Sequence, residues 1–131
     1  MTQVRAGDVK ELVLVETVTR TQLVQYSGAS GDYNPLHSDE RFATEAAGFR
    51  SVFAHGMLTM GMTGRVITDW FGPDAVLRYG ARFAAQVWPG DRLTATATVT
   101  DVRDGEADLS ISTTNQAGEV VLSATATVRT G

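Results

Sequence analysis

The sequence predicts an α+β domain in which a curved antiparallel sheet wraps one apolar helix. Three observations carry that expectation. The front half reads as mixed or helical and the back half as strands, a nearly charge-free helical segment sits mid-chain, and two back-half strands alternate apolar residues with hydroxyl-bearing ones. Strands gathered behind helices argue against alternating βαβ units. At 131 residues the chain is long enough for a real core and too short for a cofactor domain plus a catalytic one, so a single domain over residues 1–131 is expected.

Residues 11–19, ELVLVETVT, alternate well enough for a first strand. Thr19, Arg20, Thr21 and Gln22 have the spacing of a capping box, in which a hydroxyl and an amide satisfy free backbone amides, and a short helix through Leu23, Val24 and Tyr26 follows. In residues 27–37, SGASGDYNPLH, two glycines, a proline and several turn formers predict an ordered turn or loop. A second short helix is expected over residues 39–48, ending at Gly48, and a longer one over residues 56–71, before Gly72, Pro73 and Asp74 break the pattern.

That longer segment, GMLTMGMTGRVITDWF, carries only Arg65 and Asp69 as charges, spaced i and i+4. A helix so apolar belongs inside, wrapped by a sheet. Gly61 and Gly64 each weaken helix propensity by about 1 kcal/mol relative to Ala, which predicts that another backbone lies close to them. From Val76 onward, β segments at 75–87, 92–102, 106–116 and 119–129, separated by WPGD, RDG and AG turns, predict a four-strand meander. Leu93, Ala95, Ala97 and Val99 share one face, as do Val120, Leu122, Ala124, Ala126 and Val128. A sheet with one apolar face and an apolar helix to fill it is the hot-dog architecture.

Composition removes several functions. With 43% hydrophobic and 20% charged residues the chain reads as soluble and globular. No apolar run approaches the ~18 residues that span a bilayer, and the first residues lack the apolar stretch of a secretory signal, so no membrane attachment and a cytoplasmic location are expected. The absence of cysteine excludes disulfides, thiol nucleophiles and zinc sites built on sulfur. A net charge of -4 with scattered arginines offers no footprint for a phosphate backbone, so nucleic acid is not an expected partner.

Asp32 and His37, five apart across the Asn34-Pro35 turn, can point into one spot that holds a water. Their reference pKa values, ~3.9 and ~6.5, let one group take a proton while the other gives one near neutral pH. At the start of the central helix the amide of Gly56 is a candidate oxyanion donor, because unsatisfied amides and the helix dipole favour negative charge there. Glycine also lets a substrate oxygen approach without a side chain intervening.

The stretch Tyr26-Ser27-Gly28-Ala29-Ser30-Gly31-Asp32-Tyr33-Asn34-Pro35-Leu36-His37, followed by Ala43, resembles the signature of the MaoC-like hydratases and dehydratases. The resemblance extends to AHGML at 54–58 and to RYGARFAAQVWPGDRL at 78–93, and so covers most of the chain. Through its AHGMLTMG run the chain is similar to the catalytic B subunits of (3R)-hydroxyacyl-ACP dehydratases. The resemblance implies reversible hydration of trans-2-enoyl thioesters of CoA or acyl carrier protein (ACP), giving (3R)-3-hydroxyacyl thioesters, without a metal or other cofactor. It implies that Asp32 and His37 activate water, that the Gly56 amide holds the thioester oxygen, and that Asn34 braces the loop while Pro35 fixes the approach of Leu36 and His37. One departure stands out: several relatives have a helix serine bonded to the catalytic aspartate, and alignment on HGML puts Gly64 there. Thr59, Thr63 or backbone then takes over that task.

Plainer readings stand beside these. Gly-Asp-x-Asn-Pro is also ordinary turn chemistry, and His55, before the helix start, reads as structural, making one local bond. His37, His55 and Asp32 could form a two-histidine, one-carboxylate face for iron, though their spacing fits no metal motif. Met57, Met60 and Met62 read as core or acyl-channel filler. Trp70, Phe71, Phe83 and Trp88 read mostly as core, with the lining of a channel as the alternative for any of them. Arg78, Arg82 and Arg92 read as solvated charges rather than carrier-phosphate contacts. Thioester hydrolysis, which the same fold supports, and a non-catalytic acyl-binding partner subunit are the rival functions. Exposed sheet edges and a half-covered site predict a dimer, either a homodimer or a heterodimer with a related hot-dog subunit.

Overall fold

The chain enters the sheet through strand β1 (Val9–Val15), which starts earlier than expected and ends before Glu16. Residues 16–19 leave the sheet because Val18 bonds elsewhere. Its N–H donates to the Asp91 carbonyl at 2.8 Å, and its carbonyl accepts from the Gly90 N–H at 2.7 Å. This computed structural model describes residues 2–131; residue 1, the first position of the expected 1–131 domain, lies outside them.

The Thr19 capping box forms: the Gln22 N–H donates to Thr19 Oγ1 at 3.1 Å and the Thr19 N–H to Gln22 Oε1 at 2.9 Å. Helix α1 (Arg20–Ser30) then runs through four residues assigned to a loop from sequence. The turn formers there are outweighed by packing, since Leu23 and Ser27, at i and i+4, are both buried and share the inner face. The helix stops at Gly31, where φ of +79° suits glycine and the N–H bonds back to the Ser27 carbonyl at 2.9 Å. A 3₁₀ turn follows at Pro35–His37. The expected second helix narrows to a wide π turn at Phe42–Ala46, closed by the Ala47 N–H on the Phe42 carbonyl at 3.0 Å.

Helix α2 (Gly56–Phe71) has the bounds the sequence predicts, but the sheet covers one side of it. Thr59, Thr63, Val66 and Ile67 are buried, while Met57 is exposed. Its two charges tether it to β1: Arg65 Nη1 donates to the Leu14 carbonyl at 2.8 Å, and Asp69 meets Lys10 Nζ at 3.0 Å. The contact-glycine expectation fails. A Cβ on Gly61 would meet nothing within 4 Å among the described residues, and one on Gly64 would sit 3.5 Å from the Tyr79 ring, an ordinary side-chain contact. The close approach is instead at Gly56, where a Cβ would lie 3.1 Å from the Phe83 ring.

Four further strands complete an antiparallel sheet: β2 (Val76–Phe83), β3 (Leu93–Arg103), β4 (Glu106–Thr114) and β5 (Val120–Arg129), in the order β1-β3-β4-β5-β2. Only β3, β4 and β5 form a meander. Strand β2 pairs with β5, with Tyr79 opposite Ala126, and residues 84–92 cross over to the start of β3. The expected hairpin at Trp88–Asp91 is absent because that turn is held by Val18 and by its own aspartate. Asp91, 4% exposed, accepts from the Trp88 N–H and from Gln116 Nε2, each at 2.9 Å.

The inner face carries Leu93, Ala95, Ala97 and Val99, all buried as expected. In β5 a register shift opposite Thr113 and Thr114 turns Val120 outward and buries Val121 beside Leu122, against the expectation for Val120. Each fully buried Leu or Val on this face contributes about 1.5–3 kcal/mol of transfer free energy. The outer end of α2 is clasped by Tyr79, whose hydroxyl donates to the Met60 carbonyl at 2.6 Å and whose pKa burial pushes up to about 12. No helix among the described residues is long and apolar enough to cross a membrane.

The Asp91 contacts give a direct test of this arrangement. Asp91→Ala strands the Trp88 amide and the Gln116 side chain, and urea denaturation should show a loss of about 2 kcal/mol with little change in the slope.

Candidate active site

The loop between α1 and the 3₁₀ turn is short, polar and braced by its own side chains. Ser30 Oγ accepts from the Asp32 N–H at 3.1 Å, Asp32 Oδ1 from the Asn34 N–H at 3.2 Å, and Asn34 Oδ1 from the Leu36 N–H at 3.0 Å. Pro35 occupies the first turn position, where its missing N–H costs nothing. Three side-chain turns in succession thus deliver Asp32 and His37 to the same place. Asp32 Oδ2 lies 4.0 Å from His37 Nε2, with the imidazole buried and the carboxylate half exposed.

The other nitrogen of His37 decides its chemistry. Nδ1 sits 2.6 Å from the Phe53 carbonyl, and since a carbonyl only accepts, Nδ1 carries the proton. In the neutral ring Nε2 therefore presents a lone pair toward a carboxylate that also only accepts. At 4.0 Å the two cannot bond each other, but a water lying between them can donate to both.

His55, the residue before α2, stacks on His37 with ring centroids 3.8 Å apart and planes inclined by 24°. Its Nε2 lies 3.2 Å from the Asp32 main-chain carbonyl and 3.1 Å from Ser27 Oγ, so Nε2 is the protonated nitrogen. Nδ1 is buried without a hydrogen-bond partner among the described residues. Burial lowers the pKa of His55 from 6.5, with the nearby His37 adding to the effect, while the bond to the Asp32 carbonyl opposes it. The imidazole stays neutral.

Asp32, His37 and His55 do place ligand-type atoms within 4.8 Å of one another. The stacking nevertheless opposes a metal. Imidazole lone pairs lie in the ring plane, and two planes 3.8 Å apart and inclined by only 24° direct theirs side by side rather than to one point. The trio fits proton transfer better than ligation.

Gly56 begins α2 directly after His55, and among the described residues no side chain caps that helix start. First-turn amides have no carbonyl within the helix to bond. Gly56 also lines a cavity of about 320 Å³, together with Phe53, Thr59, Phe83, Ala85 and Val121. Asp32 and His37 are not among its lining residues; His37 adjoins it through its bond to Phe53, and Asp32 through His55, which precedes Gly56. The cavity wall is mostly apolar, and Phe83 is half exposed at its rim.

Of the residues named from sequence, Asp32 and His37 are thus brought together, Asn34 and Pro35 shape their loop, and Gly56 stands one residue beyond the ring that stacks on His37. Gly64 faces Tyr79 rather than Asp32, and Thr63 is engaged by Thr113 on β4 at 2.7 Å, so the aspartate is braced by the Asn34 amide. Ser27 and the Phe53 carbonyl were missed. Ser27 was readable only by extending α1 one turn, which puts it four residues after Leu23 on the inner face.

A one-sided sheet cradling a helix, with a carboxylate and an imidazole spaced for one water beside the helix start, defines a hot-dog protein equipped for acid-base chemistry. The chain belongs to the MaoC-like domain family, whose profile matches residues 3–121. It is 35% identical over 127 residues to the (R)-specific enoyl-CoA hydratase of Rhodospirillum rubrum, an alignment covering 92% of this chain and 88% of that protein. It is 51% identical over 67 residues to the enoyl-CoA hydratase ChsH3 of Mycobacterium tuberculosis, covering 49% of this chain and only 23% of that longer protein. Among solved structures, the unliganded R-hydratase PhaJ1 of Pseudomonas aeruginosa superposes with a TM-score of 0.87 at 26% identity, covering 97% of this chain and 82% of that one.

The neutral state of His55 has a consequence for stability. Its folded pKa is below 6.5, so under acid conditions the unfolded chain binds a proton that the native state refuses, and stability falls as pH falls from 6.5 toward the folded value. Urea midpoints measured between about pH 7.5 and 5.5 should decline, and His55→Phe should flatten that decline.

Proposed function

We propose that this chain catalyses the reversible addition of water to trans-2-enoyl thioesters, giving (3R)-3-hydroxyacyl thioesters. The observation that carries this reading is the 4.0 Å gap between two acceptors, Asp32 Oδ2 and His37 Nε2, with the tautomer of His37 set by the Phe53 carbonyl. A water bridging them is aligned by both of its protons, leaving an oxygen lone pair to attack C3. As the C3–O bond forms, one water proton passes to the pair, and the π electrons move through C2 to the thioester oxygen as an enolate. The Gly56 amide, at the positive end of α2, holds that oxygen. The pair then returns its proton to C2, the enolate collapses, and both residues regain their starting states. Dehydration is the same path reversed.

The apolar cavity beside Gly56 receives the acyl chain, and CoA or an acyl carrier protein supplies the thioester handle. The (R)-specific relatives support the 3R product. Phe83, which lines this cavity, and Met57, next to Gly56, are exposed apolar residues. Together with the free edges of β1 and β2 they support a homodimer, or a heterodimer with a related subunit, assembled close to the site. A cytoplasmic location is the matching compartment. Hydrolysis would direct the same water to C1 instead of C3.

Crotonyl-CoA distinguishes the two outcomes. Loss of enoyl absorbance without free thiol is expected, and each of Asp32→Asn and His37→Ala should lower kcat/KM by about 10²–10⁴-fold in folded protein. Release of CoA thiol, or unchanged turnover in both variants, would overturn the assignment.

A further inference from the structure

We propose that His55, anchored by Ser27, is a positioning residue that holds Asp32 and His37 at their separation and in register with the Gly56 amide. The proposal rests on the hydratase reading above and concerns a residue that does not itself meet the reacting atoms. One imidazole makes four connections. Its Nε2–H points at the Asp32 main-chain carbonyl at 3.2 Å, which fixes the backbone from which the carboxylate projects. The same nitrogen meets Ser27 Oγ at 3.1 Å, on the buried face of α1. Its face covers His37, centroid to centroid 3.8 Å, setting the plane in which the His37 Nε2 lone pair lies. Its backbone continues directly into Gly56.

The cost of this arrangement argues that it is more than filling. Nδ1 of His55 is buried with no partner among the described residues, a penalty that phenylalanine in the same space would avoid. What phenylalanine lacks is the donor to Asp32, and what glutamine lacks is the stacking face. Histidine supplies both. It must also remain neutral, because the groups facing it are Tyr26, Asp32 and His37, and a cation stacked on His37 would oppose that ring taking the water's proton.

The test separates the two halves. With only two histidines in the sequence, long-range ¹H–¹⁵N NMR resolves each ring. In the wild-type protein His55 should be the Nε2–H tautomer, and Ser27→Ala should shift its Nε2 signal. His55→Phe and His55→Gln should each lower kcat on crotonyl-CoA by about 10–100-fold, with KM nearly unchanged and the acid limb of the pH-rate profile displaced. A His55 ring found as the Nδ1–H tautomer overturns the proposal. So do folded variants that keep the wild-type kcat and pH profile. Should the wild-type enzyme prove inactive on enoyl thioesters, the hydratase reading falls, and the NMR arm still decides whether His55 fixes the two groups. Variants that do not fold leave the NMR arm and Ser27→Ala to decide.

Discussion

The bond from His37 Nδ1 to the Phe53 carbonyl is where three separate stretches of chain are locked together. Phe53 returns a bond of its own, its N–H donating to the Leu36 carbonyl at 3.2 Å, and the next residue, Ala54, donates to Val87 at 2.8 Å. The loop that carries Asp32 and His37, the approach to α2 and the crossover from β2 to β3 are therefore cross-linked within two residues. The bond also assigns the proton on the imidazole, which turns a packing contact into a statement about reactivity.

Much of this was readable because the relevant signals are local. The bounds of α2 follow from a nearly charge-free run ended by Gly72 and Pro73, and the Thr19 cap from a four-residue pattern. Asp32 and His37 stand out because turn residues between them leave few conformations. What escaped was decided by partners distant in sequence. Helix α1 persists through Ser27 and Gly28 because its inner face is covered, which no propensity records. The place of β2 beside β5, rather than beside β3, depends on the Trp88–Asp91 turn being held by Val18. The Phe53 carbonyl has no letter of its own, since every residue carries one, and nothing local tells that Phe83 lies against Gly56 while Gly61 stands clear.

The site also shows how an apolar setting is used sparingly. Asp32 stays half exposed and hydrated, whereas His37 and His55 are buried and aromatic on several sides, with Phe53 edge-on to His37 and Tyr26 edge-on to His55. The carboxylate is open to solvent, and the two rings are largely kept from it.

The strand order has a kinetic corollary. Because β2 finds its one sheet neighbour among the described residues in β5, the segment that carries Phe83 to the cavity rim stays unpaired until residues 120–129 have been synthesised and docked. Strand β1 likewise waits for β3, more than seventy residues downstream by the pairing of Leu12 with Ala95. Both margins of the sheet are thus late, long-range closures onto a C-terminal meander, a topology of high contact order that folds slowly for its size. The pocket, lined in part by Val121, becomes whole only once β5 is in place.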